Sequence, residues 1–107
     1  MADRVPARTL LELCVARAGG NVRAVPKGSR VATFVVEWAL ASRDRGGPIS
    51  TATYAEAWSL SERQAWRRRA AFKDLFPEFE PQELADVVLD QLDRREAPTP
   101  LSRVAIA

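Results

Sequence analysis

The sequence predicts an all-α fold, a small helical bundle in one domain. Three observations carry this. Apolar residues recur at i, i+3, i+4 and i+7 in successive segments, as in Val31, Phe34, Val35 and Trp38. Serine, threonine, glycine and proline stand where such segments should start and stop. No pair of period-two runs marks a hairpin. The chain has 107 residues, 47% apolar and 28% charged, enough for one core and too short for two. The domain is expected over 1–96, with 97–107 as a C-terminal tail.

The first helix is expected from Arg8 to Ala18. Leu11, Cys14, Val15 and Ala18 share a face, Thr9 can cap it, and Gly19-Gly20 stops it. The compact Leu13–Val15 stretch also suits a buried strand. Gly20 to Gly28 reads as a loop with a brief extended piece at Val22–Val25. Ser29 can cap a central helix from Arg30 to about Arg43, ended by Gly46-Gly47-Pro48.

Ser50, Thr51 or Thr53 can cap a short helix ending at Trp58. Ser61 can cap the next, because Gln64 sits at the N3 position of a capping box. That helix should run from Glu62 to about Phe76, since Pro77 forbids continuation. Pro81 suits the first turn of a last helix, whose stripe is Leu84, Ala85, Val88, Leu89 and Leu92. In the tail, Leu101, Val104 and Ile106 are too few to form a core.

Composition excludes much catalytic chemistry. There is no histidine and one cysteine, Cys14. A Ser–His–Asp triad, a Cys–His pair and a histidine metal site are therefore excluded. Asp86, Asp90 and Asp93 share a helical side but lack a calcium-loop pattern. No glycine loop suits a phosphate cofactor. We expect no enzyme, no cofactor, no metal and no small-molecule site. A lone cysteine fits a reducing compartment. With no apolar run of membrane length, the expected location is the cytoplasm and no membrane partner is expected.

The net charge of +2 conceals a segregation. Glu62 to Lys73 carries five positive residues and one negative, whereas Asp74 to Asp93 carries seven acids and no base. A local basic patch matters more for phosphate binding than net charge does.

The stretch Tyr54-Ala-Glu-Ala-Trp-Ser-Leu-Ser61-Glu-Arg-Gln-Ala-Trp-Arg-Arg-Arg69 resembles the helix-turn-helix family of DNA-binding proteins. Ala55 matches the small residue where two helices approach. Trp58 and Leu60 match the buried positions flanking the turn, Ala65 the buried position of the second helix, and Ser61 its starting serine. Two positions depart from the pattern. Ser59 stands where a turn glycine is usual, and Arg68 where an apolar residue is usual. The resemblance covers about a quarter of the chain.

It implies a sequence-specific binder of double-stranded DNA, a transcriptional regulator, with the helix Glu62–Phe76 in the major groove. No wing is expected, because Pro77–Pro81 leads into another helix. A helical projection places Arg63, Gln64 and Arg67 outward near the amino end, as base-contact candidates. Thr51, Thr53, Tyr54, Arg68 and Lys73 are candidates for the DNA backbone. Arg69 should turn its stem onto the core and its head to a carboxylate or a phosphate. One unit covers few base pairs, so a homodimer is expected. The alternatives are an adaptor or anti-factor whose basic helix docks on an acidic partner, and an accessory factor in recombination, replication or phage control.

Overall fold

The computed structural model describes residues 9–96. Five helices form it: α1 (Leu10–Arg17), α2 (Val25–Arg45), α3 (Thr51–Ala57), α4 (Glu62–Leu75) and α5 (Pro81–Glu96). No strand occurs among the described residues, so the all-α expectation holds. The tail 97–107 lies outside them.

Helix α2 is the axis of the bundle. Its 21 residues bury Val31, Phe34, Val35, Trp38 and Ala39, and every other helix packs against it. The expected stripe is therefore the core. Phe34 meets the Tyr54 ring edge-on at 5.0 Å, and Trp38 stacks on Tyr54 at 5.5 Å. Phe72 and Phe76 of α4 and its end stack at 5.3 Å. Such ring pairs fix orientation as well as bury area.

Helix α2 begins earlier than the sequence suggested, at Val25 rather than Arg30. Asn21 accepts the Ala24 amide at 3.0 Å and caps a single 3-10 turn, Val22–Ala24. No extended piece forms there. Pro26 then sits in the first turn of α2, where its missing N–H costs nothing. Ser29 is consequently inside the helix, not its cap. Gly28 is buried for a packing reason: a Cβ there would lie 2.6 to 2.7 Å from the Cγ2, Cα and N of Val15. The backbones of α1 and α2 touch at this point.

Helix α1 is also turned from the expected face. Cys14 is fully buried, with Leu10 and Leu13 packed against the core, while Leu11 is 44% exposed. The core-facing set is thus 10, 13, 14 and 18, which keeps Cys14 and Ala18 of the expected face and turns Leu11 outward. No strand forms at Leu13–Val15. Thr9 caps the helix by accepting the Glu12 amide at 2.8 Å.

The remaining boundaries follow the caps. Gly46, at φ +88°, ends α2 in the left-handed conformation. Ser50 caps α3, and Ser61 with Gln64 forms the expected capping box at α4. Gln82 of α5 ties three elements together. Its Oε1 accepts from Trp38 Nε1 at 2.8 Å and from the Ile49 amide at 3.0 Å, and its Nε2 donates to Ser42 Oγ at 3.0 Å. Arg17 does the same for α1: it bonds the Leu75 carbonyl and Glu78, and its guanidinium lies 4.8 Å from the Phe76 ring centre.

Candidate functional site

The α3–α4 pair is joined by the turn Trp58–Ser61. Ser59 adopts φ +54°, the left-handed conformation that glycine takes without strain. Serine here thus takes a conformation that favours glycine. Ala55 and Ala65 are buried where the two helices meet, and Leu60 is partly buried against the core. Trp58, expected to be buried, is instead 38% exposed. Its indole N–H donates to the Glu37 carbonyl at 3.0 Å, which holds the ring across α2 rather than inside the core.

The second departure, Arg68, has its own support. Arg68 Nη1 donates to Glu37 Oε1 at 3.1 Å and to the Tyr54 hydroxyl at 3.2 Å. Tyr54 in turn donates to Glu37 Oε1 at 2.7 Å. A three-residue polar cluster thus fills the place an apolar side chain would take. Burial, then the bond to Glu37, pushes the Tyr54 hydroxyl up to about 12. The Tyr54 hydroxyl and Glu37 hold the Arg68 guanidinium protonated against a smaller loss from desolvation.

The structure sorts the expected contact residues. Arg63 and Arg67 are exposed on the outer side of α4, with no hydrogen bond or ion pair among the described residues. Gln64 is exposed beside them, but its Oε1 accepts the Ser61 amide at 3.0 Å. A bidentate pair with adenine needs that oxygen, so the cap and such a contact compete. Arg68 is half-exposed and shared with Glu37.

Three of the expected backbone contacts lie elsewhere. Tyr54 is fully buried, and its hydroxyl is held by Glu37. Thr51 is buried too, its hydroxyl accepting Arg69 Nη1 at 3.0 Å. Lys73 folds over the 77–80 loop, donating to the Phe79 carbonyl at 2.7 Å and Glu80 at 3.0 Å. None of the three presents a free group to a partner. Thr53 is partly exposed, and its hydroxyl lies 3.1 Å from that of Ser50.

Arg69 behaves as its projection implied. Its head bonds Glu80 at 2.6 Å, and it lies 5.3 Å from the Trp66 ring centre. The acidic segment therefore does not form a separate surface throughout. Glu80 takes Arg69 and Lys73, Glu78 takes Arg17, and Asp74 takes Lys27. The same partners hold the Glu78 and Glu80 carboxyls below the usual carboxylate range, each mainly through a side-chain hydrogen bond. What stays uncompensated on α4 is Arg63 and Arg67.

A residue the sequence reading did not single out joins them. Arg30 of α2 lines an open cleft of about 310 Å³ together with Gln64, Arg67, Arg68 and Ala71 of α4. Arg30 and Arg67 stand 37 positions apart with two loops and a helix between them, so no periodicity links them. Only the packing of α2 on α4 brings Arg30 to the ridge. Among the described residues, no group of three histidine, cysteine or acidic side chains could hold a metal ion, and no helix is long and apolar enough to cross a membrane. The chain matches no protein-family model, no curated protein and no solved structure in the comparisons made.

Proposed function

We propose that the protein is a helix-turn-helix DNA-binding protein that regulates transcription from the cytoplasm, acting by binding and not by catalysis. The observation that carries this reading is the free ridge of Arg63 and Arg67 on the amino-terminal half of α4, directly after a capped turn. Long donors at that end of a helix suit the major groove, where an arginine fork can grip guanine. The left-handed Ser59 and the buried pair Ala55 and Ala65 support the turn geometry the reading needs. Arg63 and Arg67 are the base-reading residues, and Arg68 faces the backbone.

One such helix covers too few base pairs for tight binding, so the active species is a homodimer on a two-fold site. The groove between α1 and α2 is the self-association face. Leu11, Val36 and Trp58, three large apolar side chains left exposed, gather along it. Isologous burial of such a patch is how most two-fold dimers form.

Gel shifts on genomic fragments at low salt test the reading. Retarded bands at micromolar protein, with preference for particular fragments, are expected. An absence of any shift at that concentration would overturn it. Sedimentation of the wild type beside Leu11→Glu tests the dimer: loss of the dimer in the variant is expected, and a monomeric wild type refutes it.

A further inference from the structure

We infer that the cleft between α2 and α4 is a phosphate site, built by Arg30 and Arg68 with Arg67 at its rim. Two adjoining recesses define it. One is lined by Arg30, Gln64, Arg67, Arg68 and Ala71, the other by Ser29, Arg30, Thr33, Glu37 and Arg68. Arg30 and Arg68 line both, so the two recesses share these arginines as a common wall.

The charge balance is what asks for an anion. Three arginines line the two recesses with one carboxylate, Glu37, which is already bonded to Arg68 and Tyr54. Arg30 and Arg67 have no ion-pair partner among the described residues. Like charges gathered without a counter-ion repel, and an anion binding between them removes that cost. Arg68 uses Nη1 for both of its contacts, which fixes its position and leaves its other N–H groups available. The fork geometry of arginine matches phosphate oxygens in pairs. Ala71 leaves the floor of the cleft open, and the Ser29 and Thr33 hydroxyls add donors on the α2 side.

The cleft is open, so it suits a phosphate carried on a chain. Which phosphate it takes rests on the duplex reading above: the site would hold a backbone diester flanking the bases that Arg63 and Arg67 read. A free phosphate ester has the same chemistry and is the other source. Arg30 belongs to α2, outside the turn pair, so its contribution can be separated from that of α4.

The test uses the full chain. Anisotropy of a short random-sequence duplex is followed across a salt series for wild type, Arg30→Ala and Arg63→Ala. In parallel, Tm is measured in pyrophosphate and in chloride at equal ionic strength. For Arg30→Ala we expect a several-fold loss on every duplex and a salt slope smaller by about one, the mark of one lost phosphate contact. Melting in chloride shows that the exposed substitution leaves the fold intact. If wild type binds duplex and Arg30→Ala keeps both affinity and slope, the phosphate site is overturned while the duplex reading stands. If wild type binds no duplex but pyrophosphate raises its Tm and not that of Arg30→Ala, the site stands with a free phosphate ester as its ligand, and the duplex reading falls. If neither ligand registers, both fall.

Discussion

Replacing Tyr54 by phenylalanine separates the structural role of this residue from a role at the interface. The ring is fully buried against Phe34 and Trp38, and phenylalanine keeps that packing. What disappears is one hydroxyl, which donates to Glu37 at 2.7 Å and accepts from Arg68 at 3.2 Å. Glu37 and Arg68 retain each other at 3.1 Å, so no buried charge is stranded. The loss is therefore that of a hydrogen bond to a charged acceptor, about 1.5–3 kcal/mol at full strength. Both partners keep some solvent contact, which brings the expected cost to about 1–2 kcal/mol. For a domain of this size that lowers Tm by about 5–15 °C. Thermal melts at pH 7 measure it, and duplex anisotropy well below Tm should show unchanged affinity. A variant as stable as wild type would refute the bond. A folded variant with tenfold weaker duplex binding would restore Tyr54 to the DNA backbone, as the sequence had suggested.

Further outcomes are open to the same methods. Arg63→Ala and Arg67→Ala should each weaken duplex binding by about 1–3 kcal/mol at one base position, with Tm unchanged; a uniform loss across sequences would make the residue a phosphate contact. Gly28→Ala should destabilise by about 1–2 kcal/mol in urea melts. The clash with the Val15 backbone outweighs the helix propensity gained, and a more stable variant would refute the close approach of α1 and α2. Ser59→Gly should stabilise by about 0.5–1 kcal/mol in urea melts by relieving the left-handed conformation, and a less stable variant would refute that strain. Burial pushes the Cys14 thiol up to about 11 from 9.0, so the folded state holds its proton longer than the unfolded state. Stability from this group is full below pH 9 and falls as pH rises toward 11, by roughly 3 kcal/mol at most. Cys14→Ala should remove that alkaline slope, and an unchanged slope would assign it elsewhere.

Much of the fold was legible because its signals are local. The Ser61–Gln64 capping box, the Gly46 stop and Pro81 act within a single turn of chain, and each falls where the sequence placed it. The start of α2 was not legible, because Gly28 looks like a loop residue until Val15 is seen against it. The face of α1 was ambiguous for a similar reason. Two neighbouring stripes with helical spacing share Cys14, and only contact with α2 chooses Leu10 and Leu13 over Leu11 beside it.

The candidate site divides in the same way. Sequence alone determined that α4 is a capped basic helix with Arg63 and Arg67 on its outer side, since 100° per residue settles which side chains share a face. It could not determine which charges remain free. That depends on carboxylates brought from elsewhere in the chain: Glu37 to Arg68, and Glu80 to Arg69 and Lys73. Nor could it place Arg30 beside Arg67, because the two lie on different helices and meet only where α2 packs on α4. Periodicity orders residues about one axis, whereas charge pairing is decided between axes, and only the tertiary structure sets that.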